Sequence, residues 1–410
     1  MSQPFRNQER SENKPNLIKM LEEKLGCKIN KDKKYSIVYP PLYLQEQDKI
    51  KRIDLGYTKL PIIPSSLFQI RDLEELYGTH CEIENIPPSI ENLKDLERLE
   101  LTSNNISALP PEICNLPKLE RLLLNYNKIE NLPSCLNRLP YLRYLGLQHN
   151  NLTHFPMVIC KCAKLQGLGL SMNRIPNIPD CIAELKSLTR LGLGFNEITE
   201  IPDSLTSLKS LEYLDIGYNP LTRINKNIKN LKNLTHIDIY KCGLTEFPMF
   251  LTEMKQLVSI SIGRNQFNEI PKEVFSLPNL EHLSLPFLNL QSLPPNVDLS
   301  GIKTLELHGN NISELPDSIR YVKELKLTID QNPNLDLDTL LDQLDSISDA
   351  KSIEVFLPRN MVYKIKEEMY SAFLKKNIVI DALDGFLRYI RKPPKYKKGK
   401  AKRKKKRTES

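Results

Sequence analysis

No stretch of this 410-residue sequence is apolar over the length that a membrane helix requires, and its start, MSQPFRNQER, contains no apolar signal-like segment. The eight cysteines are scattered along the chain, without the dense clusters that a secreted disulfide framework normally shows. These absences favour a reducing, intracellular setting. We therefore expect a cytoplasmic protein.

The sequence also lacks the motifs of the common catalytic classes. P-loop, GxGxxG, HExxH and GxSxG patterns are absent, and so are kinase and GTPase signatures. The six histidines show no metal-ligand spacing, and the CKC pair at Cys160 and Cys162 supplies too few ligands for a structural zinc. We expect no enzyme, no metal site and no cofactor.

Acidic charge is scarce only at the C-terminus. Residues 388–410 contain 13 Lys and Arg against one acid, a net charge of +12. Subtracting this from the total of +8 leaves −4 for residues 1–387, so the body of the protein is mildly acidic. The segment KPPKYKKGKAKRKKKRTES has no apolar periodicity and cannot fold alone. Residues 391–410 are predicted to form a disordered polybasic tail.

The polybasic tail has four possible roles, and the sequence does not choose among them. It could act as a nuclear-import signal, or contact nucleic acid or an anionic membrane, all through the electrostatics of basic side chains. It could also serve only solubility. A phosphate-directed or import role, placed in residues 392–410, would depend most on the basic run Lys402, Arg403, Lys404, Lys405, Lys406 and Arg407.

The dominant feature of the sequence is an internal repeat. Asparagine recurs every 23 residues from Asn104 to Asn219, within the pattern LxxLxLxxNxLxxLPxxIxxLxx. Twelve repeats can be written, and a degenerate thirteenth follows them. They begin at Ile50, Leu73, Leu96, Leu119, Leu142, Leu165, Leu188, Leu211, Leu234, Leu257, Leu280 and Ile302.

Each part of the repeat has a physical role. The alternating leucines of LxLxx give a short strand one inward face and one outward face. The asparagine that follows can satisfy backbone groups of adjacent turns, and the proline fixes the chain for its return. One repeat alone cannot enclose its leucines, but stacked repeats bury them in a continuous core. The pattern predicts a single solenoid.

The repeats resemble those of leucine-rich-repeat proteins over roughly residues 50–345. The 23-residue length and the LPxxI segment are similar to the intracellular class of Ras-suppressor and Scribble-type scaffolds and bacterial cytoplasmic repeat proteins. The resemblance implies an α/β fold, a horseshoe solenoid of about 12–13 repeats with a parallel sheet on its concave face. It also implies a non-catalytic protein that binds another protein on that face.

Segments on either side of the repeats are predicted to cap the solenoid. Residues 1–49 form an N-terminal cap of a helix and a strand, residues 50–348 the solenoid, and residues 349–390 a C-terminal strand–helix–strand cap. The N-terminal helix should end at Gly26, and the strand should cover KYSIVYP, residues 34–40. The C-terminal strands should cover residues 352–357 and 378–383. The C-terminal helix should bury Val362, Ile365, Met369 and Phe373.

Glycine recurs at one outward position of three successive strands. With each repeat numbered from its first residue, positions 3, 5 and 7 face outward and position 8 lies at the strand edge. Position 5 is occupied by Gly146, Gly169 and Gly192. We expect these glycines to leave a bare floor, a part of the strand surface without side chains, that a partner's backbone can approach. Aromatic residues and methionine, which often dominate binding energy, occupy position 8 beside them.

We therefore predict a partner-binding surface, called here the central strip. It consists of Tyr126, Tyr144, Gly146, His149, Gly169, Met172, Gly192, Phe195, Tyr213 and Tyr218. The alternative stays open: three small residues in line could reflect drift or relief of crowding on a curved sheet.

The sequence thus favours a monomeric, non-catalytic scaffold or adaptor in intracellular signalling that binds a protein in its groove. The alternative is a nucleic-acid- or nucleus-associated factor whose tail makes the main contact. Salt dependence separates the two, because contacts to phosphate weaken steeply as salt rises.

Overall fold

The computed structural model describes residues 16–26, 28–31, 41–47 and 49–382. The chain divides into two compact units, the first ending at Leu288 and the second beginning at Asn289. The first unit opens with helix α1 (Asn16–Leu25). Its strands are β1 (Asn30–Lys31), β2 (Leu42–Glu46), β3 (Lys49–Asp54), β4 (Glu75–Tyr77), β5 (Arg98–Glu100), β6 (Arg121–Leu123), β7 (Tyr144–Gly146), β8 (Gly167–Gly169), β9 (Arg190–Gly192), β10 (Tyr213–Asp215), β11 (His236–Asp238), β12 (Ser259–Ser261) and β13 (His282–Ser284).

The register of these strands confirms the repeat. From β3 to β13 each strand pairs in parallel with the next, and every pairing joins residues 23 apart, as Tyr144 joins Gly167. Strand β2 pairs with β3 in the antiparallel sense. The leucines at positions 4 and 6 are buried, as at Leu145 and Leu147, which are 1% and 0% exposed. The solenoid core therefore lies behind the sheet, as predicted.

The repeating asparagine satisfies the backbone of two neighbouring repeats. The Asn150 side chain accepts a hydrogen bond from the Ile129 N–H at 2.9 Å and donates to the Leu124 and Leu147 carbonyls at 3.0 Å each. Cys81 and Cys242 replace asparagine in two repeats, where each thiol donates to a backbone carbonyl and is fully buried. Cysteine therefore fills the position of the asparagine side chain but loses most of the hydrogen bonds that asparagine makes to the backbone.

Short 3₁₀ helices complete the repeats after the proline. Most begin directly after that proline, as Asp203–Ser207 does after Pro202, whose extended backbone directs the chain out of the strand layer. Neighbouring segments contact one another along the array. In the first unit they are Ser65–Gln69, Pro88–Asn92, Pro111–Asn115, Leu136–Arg138, Met157–Lys161, Asp180–Glu184, Asp203–Ser207, Lys226–Asn230, Met249–Glu253 and Lys272–Ser276.

Two disulfides join neighbouring repeats at these segments. Cys114 pairs with Cys135 and Cys160 pairs with Cys181. The expectation drawn from scattered cysteines is wrong in this respect, because cysteines 21 residues apart meet once the 23-residue repeats are stacked. The scattered cysteines therefore do not indicate a reducing compartment for this protein.

The N-terminal helix agrees with the sequence analysis. Helix α1 ends just before Gly26, whose φ of +64° is the left-handed conformation typical of a residue that stops a helix. Ile18 and Leu21 are fully buried. The strand predicted at residues 34–40 lies outside the described residues.

Within residues 289–382, the second unit has four strands, β14 (Thr304–Glu306), β15 (Glu324–Thr328), β16 (Ser352–Leu357) and β17 (Ile378–Ala382), and β14 to β17 pair in parallel in that order. A 3₁₀ helix covers Asp317–Tyr321. The α-helices in the same described part are α2 (Leu337–Asp345), α3 (Arg359–Val362) and α4 (Glu367–Lys375). Helix α2 was not predicted, and it buries Leu340, Leu341 and Leu344.

The predicted C-terminal strands are confirmed at β16 and β17, but the helix between them is two helices. Val362, Ile365 and Phe373 are buried as expected, whereas Met369 is 37% exposed. The prediction assumed one continuous helix. Because the chain breaks between α3 and α4, the helical spacing does not continue across the break, and Met369 does not share the buried face. Residues 383–410, with the polybasic tail, lie outside the described residues. Within the described residues no helix combines the length and apolarity needed to cross a membrane.

Candidate functional site

Position 8 of every repeat in the first unit has the same unusual backbone. Its φ lies between +52° and +60°, the left-handed region that residues with a side chain rarely occupy. We call this set the position-8 column. It consists of Tyr57, His80, Ser103, Tyr126, His149, Met172, Phe195, Tyr218, Lys241, Arg264 and Phe287. None of these residues is glycine, although glycine would adopt this backbone at least cost.

Several aromatic side chains of the position-8 column stack in neighbouring pairs. The ring centroids of Phe195 and Tyr218 are 3.7 Å apart, and those of Tyr126 and His149 are 4.8 Å apart. Tyr126, Phe195 and Met172 remain 47%, 43% and 38% exposed. These stacked pairs therefore restrict their own rings, while the column keeps apolar surface open to solvent.

The three predicted glycines line up as the sequence required. Gly146 pairs with Gly169 on β7 and β8, and Gly169 pairs with Gly192 on β8 and β9. The floor is not bare, however. A Cβ added at Gly146 would lie 2.8 Å from the Asn125 Oδ1, and one at Gly169 would lie 3.1 Å from the Gln148 Nε2.

The side chains over these glycines come from position 7 of the preceding repeat. Asn125 is fixed there because its Oδ1 accepts a hydrogen bond from the Gln148 N–H at 2.9 Å. The glycines thus make room for neighbouring side chains of this chain, which supports relief of crowding as one reason for them. A partner approaching here would first meet Asn125 and Gln148, which the sequence analysis did not include in the strip.

Alanine should therefore cost more at Gly146 than at Gly192. At Gly146 the new methyl displaces the anchored Asn125 amide, and we expect the free energy of unfolding to fall by about 1 kcal/mol, the worth of one hydrogen bond. At Gly192 the nearest atom is the Ser171 Oγ at 3.2 Å, which has to move by only a few tenths of an ångström, so alanine should cost less there. Denaturant unfolding of both variants measures the difference. Equal losses would contradict this account of the glycines.

The two flanking tyrosines at position 3 are held by arginines. The guanidinium of Arg121 lies 4.1 Å from the centre of the Tyr144 ring, and that of Arg190 lies 4.8 Å from the centre of the Tyr213 ring. Such cation–π contacts fix the rings against the sheet. Burial, the largest cause, raises the pKa of Tyr213, with the charges of neighbouring aspartates acting in the same direction.

Two carboxylates beside the strip were missed as site residues. Asp215 on β10 and Asp238 on β11 lie side by side, and each occupies position 5 of its repeat. Glycines make room for them, since a Cβ at Gly194 would lie 2.7 Å from an Asp215 oxygen and one at Gly217 would lie 2.9 Å from an Asp238 oxygen. The signal in the sequence was aspartate at position 5 combined with glycine at position 7.

Burial raises the pKa of Asp215 to about 6, and the negative charge of Asp238 acts in the same direction. Hydrogen bonds from the Gly217 N–H at 3.0 Å and the Ser171 hydroxyl at 3.4 Å offset this only in part. A nearby cation would have lowered the pKa. Asp215 therefore carries its charge at neutral pH in an unfavourable setting.

The structure brings all ten residues of the central strip onto β7 to β10 and the segments that directly follow β6 to β10. It adds Asn125, Gln148, Asp215 and Asp238 to that surface. Within residues 16–26, 28–31, 41–47 and 49–382, no group of three or more His, Cys, Asp or Glu residues could hold a metal ion. What the surface offers is aromatic, amide and carboxylate groups suited to binding.

Two family models match the chain. The one described as leucine-rich repeat region matches residues 133–219, and the one described as leucine rich repeat matches residues 71–129 and 94–152. No curated protein matches the sequence significantly. The matched residues contain all ten residues of the central strip.

Solved structures similar to this chain are leucine-rich-repeat proteins. One of Leptospira interrogans is 26% identical, with a TM-score of 0.64 and coverage of 82% of this chain and 84% of that chain. An internalin of Listeria monocytogenes is 25% identical, with a TM-score of 0.61 and coverage of 74% and 86%. The plant peptide hormone receptor RGFR1, solved in complex with RGF2, is 24% identical, with a TM-score of 0.56 and coverage of 78% and 55%.

Proposed function

This chain is a leucine-rich-repeat protein, and from that premise we propose that it is a non-catalytic adaptor that binds a protein partner on the outward strand face of its first unit. Proteins of this family generally serve as binding scaffolds and mediate protein–protein interaction. The proposal places the contact at the central strip together with Asn125, Gln148, Asp215 and Asp238.

The position-8 column is the observation that carries this proposal. A bulky residue with positive φ costs of order 1 kcal/mol relative to glycine, and the column accepts that cost in every repeat of the first unit. The fold needs the backbone turn but not the side chains, several of which remain exposed. Exposed, stacked aromatic rings with little freedom left to lose are good anchors for a partner.

The resemblance to intracellular scaffolds supports signalling as the setting, with a cytoplasmic, monomeric protein. This part of the proposal depends on the resemblance alone, since the two disulfides remove the support that cysteine usage gave. Nuclear entry through the basic run remains a separate prediction.

Binding at the strand face can be told apart from binding through the polybasic tail. Affinity capture uses the full chain and a variant lacking residues 392–410, each at low and moderate salt, with mass spectrometry to identify what is retained. Strand-face binding predicts the same partner with both proteins and a small effect of salt. Binding that disappears with the tail and falls steeply as salt rises would instead support the nucleic-acid or nucleus-associated alternative.

A further inference from the structure

Four cysteines occupy only two positions of the repeat. Cys114 and Cys160 stand at position 19 of the third and fifth repeats, and Cys135 and Cys181 stand at position 17 of the repeats that directly follow. Cysteine occurs at neither position in any other repeat before Leu288. Each cysteine at position 19 thus has its match in the next repeat, and each cysteine at position 17 has its match in the preceding one.

Stacking brings the two members of each pair together. The Cα atoms of Cys114 and Cys135 are 5.9 Å apart, and those of Cys160 and Cys181 are 5.6 Å apart, at the separation that a disulfide requires. Cys135 and Cys181 are partly exposed, so an oxidant can reach one cysteine of each pair from the side of the 3₁₀ helices.

The other described cysteines are poorly placed to compete for oxidation. Cys81, Cys162 and Cys242 are buried. Burial raises the pKa of all three thiols, to about 11 at Cys162 and about 12 at Cys242. Because the thiolate is the reactive form, these three thiols react slowly with oxidants and disulfides. Among the described cysteines, oxidation therefore favours the two inter-repeat bonds.

We infer that the functional protein carries both bonds, Cys114–Cys135 and Cys160–Cys181, and that it works where thiol–disulfide exchange keeps them oxidised. In each bond two thiols lose two protons and two electrons to a disulfide-containing oxidant, which is released as two thiols. Such bonds persist outside the reducing cytosol, or inside hyperthermophilic cells. The inference does not depend on the proposed binding at the strand face, but it replaces the cytoplasmic setting proposed above with an oxidising one, unless the cell is hyperthermophilic.

The position of the bonds gives them a structural consequence. One ties the third repeat to the fourth and the other ties the fifth to the sixth, the repeats that supply β5 to β8. A solenoid repeat is held only by its neighbours, so a covalent link between two of them limits local opening of the array. The bonds therefore fix the register of strands that carry part of the central strip.

The oxidation state in the native cell tests the inference directly. Cells that make the protein are quenched in acid, free thiols are alkylated under denaturing conditions, and the peptides are identified by mass spectrometry. The expected result is linked peptides for Cys114–Cys135 and Cys160–Cys181, with Cys162 alkylated as the internal control. Recovery of Cys114 and Cys181 in the alkylated form would overturn the inference.

Thermal unfolding of the purified full chain gives a second measurement. Reduction should lower the melting temperature by about 5 °C, because each bond closes a loop of 21 residues in the unfolded chain. A variant with serine at all four positions should melt at one temperature with or without reductant, while Cys162→Ser should keep the response. An unchanged wild-type melting temperature after full reduction would contradict the inference.

Discussion

Replacing Phe195 and Tyr218 together with glycine is expected to weaken partner binding about 100-fold while the solenoid remains folded. Two stacked aromatic residues at the centre of an interface are typical hot spots, and a loss of about 2.7 kcal/mol corresponds to this factor. Both residues have positive φ, at 55° and 56°. Glycine relieves that backbone strain, which offsets the loss of ring stacking in the free protein.

Glycine separates binding from stability better than alanine does at these positions. Alanine would keep the backbone strain and lose the ring contact, so weaker binding could follow from a weaker fold. Ser103→Gly is the matched control, because Ser103 has the same backbone, with a φ of 58°, but lies outside the central strip. It should leave the affinity unchanged.

The measurement is a titration of each variant with the partner recovered by the intact chain, alongside denaturant unfolding of the same samples. Undiminished affinity in the double glycine variant, with an unchanged unfolding midpoint, would place the binding surface elsewhere. A collapse of the fold is not expected, because neither side chain belongs to the leucine core.

The repeat made much of the first unit predictable. Regular leucines and asparagines specify a stacked parallel sheet, and stacking alone puts Gly146 beside Gly169. The pairing of cysteines 21 residues apart was also readable, since two repeats in register bring positions 19 and 17 of neighbours together. Clustering along the chain does not reveal this pairing, whereas the position of each cysteine in the repeat does.

Other features depend on packing that no single repeat encodes. The positive φ at position 8 reflects how the strand turns into its loop, and the pattern of leucines does not specify it. The placement of Asn125 over Gly146 is a contact between repeats through side chains whose direction the sequence leaves open. The break between α3 and α4 lies after the last repeat, where the leucine pattern gives no guide to it.

Replacing Asp215 with asparagine is expected to stabilise the protein at neutral pH and to have little effect near pH 4. The pKa of Asp215 is raised to about 6 in the folded protein, whereas an unfolded chain gives about 3.9. Ionisation therefore favours the unfolded state. As pH rises from about 4 to about 6, wild type loses about 3 kcal/mol of stability that the asparagine variant retains.

The difference in unfolding free energy between variant and wild type, measured across this pH range, isolates the Asp215 contribution. Variants at two neighbouring residues should change the pH-dependent loss of stability in opposite directions. Asp238→Asn should reduce the wild-type loss because it removes a charge that raises the pKa of Asp215, and Ser171→Ala should increase it because it removes a hydrogen bond that lowers the pKa. A difference that is the same at pH 4 and pH 7 would contradict the raised pKa. If this loss is observed, the ionised Asp215 destabilises the fold. Such a cost in stability is expected of a carboxylate that serves to contact a partner.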